Sequence, residues 1–323
     1  MKALVIGGAG YIGSHAVYEL IRAGHEVIVI DNLSTGKRED VHESAKFYLG
    51  DITKKEELVD IFSKETGIDV VMHFAAKLIV PESIKEPLEY YYNNVEGVRI
   101  MLEVMTEFNI KNVVFSSTAA VYGEPVKSVC SEEDIAVPIN PYGESKLTSE
   151  KMIKWVCGAY NMNYCIFRYF NVAGADESLE IGLEKDTLTH LIPIVIQTSL
   201  GIRDKMSVYG DDYDTKDGTC IRDYIHVSDL AIAHVLGAEY LLKENKSLLV
   251  NLGSGEGYSV KEVIDEVSKI KPVNFEYKER REGDPAMLIA SSSKAKKILG
   301  WEPKYSLSDI IKSDMAFRQK NQQ

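Results

Sequence analysis

Short, mostly apolar runs rich in Val and Ile punctuate the first half of the chain, at 3–6, 27–30, 47–49, 70–74, 113–115 and 165–170. Runs this brief, flanked by Gly, Asp or Asn, are what strands buried on both faces require. Between them lie longer segments that suit crossover helices, at 12–22, 54–64, 87–108 and 141–160. Strand alternating with helix predicts an α/β fold, a doubly wound parallel sheet of Rossmann type. Right-handed crossovers then bring the strand ends, and any ligand, to one edge.

Beyond Asn171 the rhythm changes. A polar, acid-rich loop over 174–186 precedes an expected helix over 187–200. A Gly/Asp stretch at 210–218 reads as turns, and further helices are expected at 227–243 and 260–270. The pattern predicts a nucleotide-binding domain over 1–170 and a smaller mixed α/β substrate domain over 171–323, some of whose segments return to the main sheet. The tail at 318–323 is expected to fray.

Composition narrows the class. With 45% hydrophobic and 27% charged residues among 323, the chain is globular rather than disordered. Its 37 Lys+Arg against 49 Asp+Glu give a net charge of −12, which opposes association with nucleic acid or an anionic membrane. No apolar stretch reaches the roughly 18–20 residues a membrane helix needs, and the N-terminus carries no leader pattern. A soluble, cytoplasmic protein is expected. Cys130, Cys157, Cys165 and Cys220 have no C-x-x-C spacing, and none of the histidines has metal-like spacing, so no metal site or disulfide framework is expected.

Candidate chemistry clusters at the ends of the predicted strands. Gly7, Gly10 and Gly13, with Gly8 beside them, follow the first strand and open the first helix. Such glycines permit a tight turn and let the backbone approach a pyrophosphate at the helix N-terminus. Asp31 follows the second strand, where a carboxylate binds both hydroxyls of an adenosine ribose and repels a 2′-phosphate, favouring NAD over NADP. Lys37 and Arg38 close by read as a solvated basic loop, and Asp51 after the third strand is placed for the adenine edge. Tyr142 and Lys146 stand four apart and share one helical face. A neighbouring ammonium, with a positive nicotinamide ring, is expected to favour the Tyr142 phenolate and bring its pKa towards neutrality. Thr118, just past the fifth strand, brings a hydroxyl to the same edge.

In that order these residues resemble the extended short-chain dehydrogenase/reductase family, and within it the UDP-hexose 4-epimerases. The likeness runs through Asp31-Asn32, Asp51-Ile52, His73 to Ala76, Tyr91 to Asn94, Ser116 to Thr118, Tyr142 to Lys146 and Arg168 to Asn171. In the second half it includes 222–227 and 280–284, stretches more specific to these epimerases. The resemblance implies interconversion of UDP-glucose and UDP-galactose by transient oxidation at carbon 4, with tightly bound NAD. It implies Tyr142 as base, Thr118 as its partner, and Lys146 tuning the phenol and binding the nicotinamide ribose. Cofactor contacts are implied for Tyr11, Ile12, Asp31, Asn32, Asp51, Ile52, Phe74, Ala75, Asn94 and Phe170. UDP-sugar contacts are implied for Asn171, His190, Leu191, Tyr209, Arg222, Arg281 and Asp284, the two arginines as guanidinium forks on the diphosphate. A homodimer built on two helices per subunit is implied as well. The chain departs from some members in having Lys77-Leu78 where they carry lysine one place later. Related 4,6-dehydratases carry an Asp-Glu pair after the Ser/Thr. Here those positions are Ala119 and Ala120, which transfer no proton. UDP-N-acetylhexosamines and UDP-glucuronate stay open as alternative substrates, the former because Leu288 stands where stricter members carry tyrosine.

Overall fold

The computed structural model describes residues 1–125, 127–184, 188–281 and 285–321. The chain divides into two compact units that alternate along the sequence. Met1–Gly123, Ala136–Arg168 and Ala231–Val250 form the first; Glu124–Ile135, Tyr169–Leu230 and Asn251–Gln323 form the second.

The first unit is built on a seven-stranded parallel sheet. Its strands lie in the order Leu248–Leu252, Asn163–Tyr169, Asn112–Thr118, Val70–His73, Lys2–Ile6, Glu26–Asp31, Lys46–Leu49. Every first-half strand expected from the sequence is present within a few residues of its predicted bounds. Leu4 pairs with Ile28 on one side and Val71 on the other. These side chains are fully buried and join Phe115, Met101 and Ile166 in one apolar cluster under the flanking helices. Strand order reverses across Lys2–Ile6, so a crevice opens beyond the carboxyl ends of Lys2–Ile6 and Val70–His73, where open α/β sheets bind their ligands.

The helix expected over 87–108 departs from its prediction. It runs as Pro87–Tyr91, then a π-turn over Tyr92–Glu96, then Gly97–Glu107. The π-turn carries Asn94, whose buried amide is fully engaged. Its Oδ1 accepts from Lys77 N (2.9 Å) and Asn93 Nδ2 (2.9 Å), and its Nδ2 donates to Lys77 O (3.0 Å) and Ser145 Oγ (3.1 Å). The extra residue of the wider turn is held by these four bonds, and such turns recur at functional sites.

In the second unit the central strand Ile221–His226 pairs with Gly257–Ser259 and Met287–Ala290 along its first half and with Asn171–Ala173 along its second. Val129–Cys130 extends this sheet beyond Met287–Ala290. Met206–Tyr209 and Phe275–Lys278 form a separate parallel pair. Helices Leu191–Leu200, Val260–Ser268 and Leu307–Lys320 supply its apolar cluster, including Ile192, Val195, Ile264, Ile310 and Ile311. The helix expected from 187 begins at Leu191, with His190 at its N-cap; Thr187 lies outside the described residues. The tail is corrected too. Residues 318–320 continue the last helix, and Arg318 is buried against Asp314 instead of fraying.

Candidate active site

The glycine turn has the shape its composition implies. Gly7 sits at φ +82°, and a Cβ there would fall 2.5 Å from Ala75 N, so the turn lies directly on the chain leaving Val70–His73. A Cβ on Gly13 would fall 2.0 Å from Gly7 O. On Gly10 it would meet only Gly7 O, at 3.4 Å, leaving that side open. Gly10 is the N-cap of Tyr11–Arg22, a helix with no side-chain cap and no acid in its first turn. Its positive end is therefore available to an anion. Gly36, not singled out from the sequence, closes on the turn from the other side: a Cβ there would lie 2.2 Å from Ala9 O.

Asp31 frames the same turn. Its Oδ2 accepts from Ala9 N (2.9 Å) and its Oδ1 from Leu33 N (2.8 Å), which orients the carboxylate while each oxygen keeps accepting capacity. The neighbouring Asn32 Oδ1 takes Ser34 N at 3.0 Å. Burial works against the charged Asp51 carboxyl. Bonds from Thr53 and Asn32 and the charge of Lys54 outweigh it and hold Asp51 below the ordinary range. Ile52 packs under Gly97, and Phe74 and Ala75 hang from Ile6 O by their amides at 2.8 and 3.2 Å. Glycine cradle, uncapped helix end and ribose-height carboxylate together fit a dinucleotide.

Tyr142 and Lys146 lie in the first turns of Pro141–Tyr160, started by Pro141 and capped by Asn140, whose Oδ1 accepts from Gly143 N at 2.9 Å. The Thr118 side chain eases ionisation of the Tyr142 phenol, and its Oγ1 accepts from Ala120 N at 3.1 Å. Tyr90 meets the Tyr142 ring edge-on, centroids 6.5 Å apart. Lys146 is buried, its Nζ donating to Ser116 O at 2.9 Å and lying 4.9 Å over the Phe115 ring. The pKa expectation for Tyr142 is not met by the protein alone. Burial pushes the phenol up, and the Thr118 bond only partly opposes this. Burial likewise pulls Lys146 down, to about 7, against the pull of Glu150. Charged groups removed from water are costly, and here that effect exceeds the neighbours'.

Behind these residues stands a layer the sequence did not disclose. Glu150, one turn beyond Lys146, accepts from Ser117 Oγ (2.5 Å) and takes a two-pronged bond from Arg168 (2.9 and 2.7 Å), all buried. Ser116 Oγ and His234 Nε2 are 2.8 Å apart, and the His234 ring packs between Phe74 and Phe167. Partners 18 and 118 residues distant leave no local pattern to read. The K-x-x-x-E spacing of Lys146 and Glu150 was the available signal.

The second unit holds the remaining candidates. Phe170 is buried, its amide on Leu252 O at 3.2 Å. Asn171 Nδ2 donates to Asp223 O at 3.0 Å, beside the strand that carries Arg222. Arg222 Nη1 donates to Ile221 O at 2.7 Å, and its backbone stands in register with Leu288. The Asp223 carboxylate accepts from Ser254 N and Oγ (both 2.7 Å), Gly255 N and Ala290 N (both 3.0 Å), so it braces the sheet. The Arg281 guanidinium lies 4.0 Å over the Tyr209 ring. His190 and Leu191 begin the Leu191–Leu200 helix. Asp284 lies outside the described residues.

A family model described as GDP-mannose 4,6 dehydratase matches residues 4–314. A UDP-glucose 4-epimerase of Halalkalibacterium halodurans is 52% identical over 314 residues, covering 96% of this chain and 93% of that protein. The chain belongs to the UDP-glucose 4-epimerase family. A crystal structure of a UDP-glucose 4-epimerase superposes with a TM-score of 0.97 at 50% identity, over 100% of this chain and 98% of that one. That of the UDP-glucose 4-epimerase from Bifidobacterium longum, in complex with NAD+ and UDP, gives 0.93 at 37% identity over 100% and 99%. The dehydratase description fits the shared scaffold, whereas Ala119 and Ala120 follow Thr118 with no group to eliminate water. Within the UDP-glucose 4-epimerase family the chain is thus an NAD-dependent isomerase by kinship.

Proposed function

We propose that this chain interconverts UDP-glucose and UDP-galactose by oxidising and re-reducing carbon 4 of the bound hexose, with Tyr142, Thr118 and Lys146 as its catalytic group. One observation carries the reading: Tyr142 and the buried Lys146 stand one turn apart on the Pro141–Tyr160 helix, with Thr118 ending the strand whose Ser116 O holds Lys146, in the unit that also bears the glycine cradle. Gly7, Gly10, Gly13, Tyr11, Ile12, Asp31, Asn32, Asp51, Ile52, Phe74, Ala75 and Phe170 would hold NAD, with Asn94 fixing the chain at Lys77. When bound, NAD accepts and returns the carbon-4 hydride and brings a positive ring charge.

Tyr142 takes the proton of the sugar 4-hydroxyl and returns it after the sugar has turned its other face. Thr118 Oγ1 holds the phenol oxygen and orients the same hydroxyl. Lys146, its ammonium kept in place by Ser116 O, favours the phenolate that burial opposes. Arg222 and Arg281 anchor the diphosphate, and Asn171, His190, Leu191, Tyr209 and Asp284 bind the rest of the UDP-sugar. A firm nucleotide anchor leaves the hexose free to rotate. The local guanidinium field also lets a chain of net charge −12 hold an anion.

We infer a homodimer. Leu88, on the helix just before the turn that carries Asn94, and Trp155, on the helix that carries Tyr142, are 82% and 81% exposed, an apolar load suited to covering by a second copy. The enzyme acts in galactose metabolism in the cytoplasm. Among the described residues no helix is long and apolar enough to cross a membrane. The decisive experiment incubates purified protein with UDP-galactose, without added NAD, and follows the sugar by NMR. UDP-glucose approaching a stable ratio is expected; unchanged UDP-galactose, unrescued by NAD, would sink the reading.

A further inference from the structure

The register of Asn112–Thr118 with Val70–His73 ends at the pair His73–Phe115, so Ser116, Ser117 and Thr118 reach past that neighbour. Two bonds, running in opposite directions, lace this strand end to the helix Pro141–Tyr160. Lys146 Nζ donates to Ser116 O (2.9 Å) and, one turn on, Glu150 accepts from Ser117 Oγ (2.5 Å). Arg168, on the strand Asn163–Tyr169, grips the same carboxylate with both prongs (2.9 and 2.7 Å). Ser117, Lys146, Glu150 and Arg168 are all buried and all belong to the first unit. Among the described residues, the titratable or charged groups around Lys146 are Tyr142 and Glu150 on its own helix and His73 at the end of Val70–His73. Arg168 and Lys154 stand beyond Glu150, Lys154 Nζ at 3.9 Å from it. His73 is neutral near pH 7, since burial and then Lys146 hold its pKa down to about 3. Burial pulls Lys146 itself down to about 7, and Glu150 supplies the negative charge that opposes this.

We propose that Glu150 is a positioning residue for the reaction: anchored by Arg168, it holds the Lys146 ammonium and, through Ser117, the strand end that carries Ser116 O and Thr118. The proposal rests on the catalytic reading above, and it places the effect in the chemistry and not in nucleotide binding. A Glu–Arg pair that served folding alone could be exchanged for apolar side chains of similar volume without loss. The pair here could not, because the exchange takes from Ser117 its acceptor and from Lys146 its counter-charge.

The test uses the purified holoenzyme and the double variant Glu150→Leu/Arg168→Met, which leaves no buried charge unpaired. Its kcat at neutral pH should fall about tenfold or more, while KM for UDP-galactose, the calorimetric Kd for UDP and bound NAD stay within about twofold. Without Glu150 the Lys146 ammonium is lost at lower pH. The alkaline limb of kcat should therefore move down by about one pH unit, a tenfold change in ionisation. The same displacement should appear in the Lys146 titration followed by NMR on isotope-labelled lysine, Lys146→Met identifying the signal. Ser117→Ala keeps every charge and decides the matter if the double variant does not fold; its kcat should fall about five- to tenfold at constant KM. A folded double variant with the wild-type kcat and alkaline limb would overturn the proposal, whatever its melting temperature. So would a Ser117→Ala enzyme with unchanged kcat. If the wild-type holoenzyme converts no UDP-galactose, the functional reading fails and the inference falls with it. An active wild type beside variants that titrate and turn over like it removes the inference alone.

Discussion

In the first unit the proposed catalytic groups stand on one helix and one strand, each backed by buried partners: Tyr142 by Thr118, Lys146 by Ser116 O, and the helix itself by the Glu150–Arg168–Ser117 cluster. In the second unit the proposed UDP-sugar contacts come from separate segments. Asn171 and Arg222 sit on neighbouring strands, Arg281 lies over Tyr209 near a two-stranded pair, and His190 starts a helix. Proton transfer tolerates little displacement, so it is mounted on long elements with locked supports. Recognition of a flexible, charged nucleotide is a sum of contacts. Each contributes modestly and can be carried on a short strand or a loop edge.

That contrast can be broken or sharpened by substitution. Tyr142→Phe should lower kcat by about 10² to 10⁴-fold while bound NAD, read by absorbance after denaturation, is retained. Glu150→Gln should destabilise the first unit by about 3–5 kcal/mol in denaturant titration, because it strands the buried Arg168 guanidinium. Glu150→Leu/Arg168→Met should recover most of that loss, and a double variant as unstable as the single one would mean that the pair's charge itself holds the fold. In the second unit, Arg281→Leu should raise KM for UDP-galactose by about tenfold and leave kcat within about twofold, the mirror image of Tyr142→Phe. A kcat collapse there would erase the division of labour.

The smallest effect is on pH dependence. His73 is buried with no hydrogen-bond partner for either ring nitrogen among the described residues. Burial, and then the charge of Lys146, pull its pKa down to about 3 from the ordinary 6.5. The folded protein therefore binds its proton later than the unfolded chain does. The neutral ring's contribution is whole above about pH 6.5 and drains away as pH falls towards 3. His73→Leu should flatten that part of the acid-denaturation curve. An acid limb identical to the wild type's would show that the ring does not titrate on unfolding.

The same contrast explains what the sequence disclosed. Gly7, Gly10, Gly13 and Asp31 stand within one strand-helix-strand unit, and Tyr142 and Lys146 on one helical turn, so spacing alone exposes them. Asn94 did not reveal its four-bond clamp, because Lys77 and Ser145 lie 17 and 51 residues away. The π-turn that presents it is invisible to a 3.6-residue periodicity. In the second unit Val129–Cys130 and Gly257–Ser259 are too short to show alternation, and pair with strands far along the chain. Arg318 read as part of a polar tail since its polarity is cancelled by Asp314, a pairing that composition cannot display.

The alternation of segments between the units bears on how the chain is made. The strand Leu248–Leu252 lies at one edge of the large sheet, and His234, which bonds to Ser116 beneath Lys146, comes from Ala231–Val250. A growing chain therefore cannot complete its nucleotide-binding unit when Arg168 has left the ribosome; it must wait for some eighty residues that first pass through the other unit. Contacts this distant in sequence slow folding and leave sheet edges uncovered meanwhile. A fragment ending at Arg168 should accordingly aggregate when expressed alone, since the first unit does not close until Val250 and the second waits for the last helix.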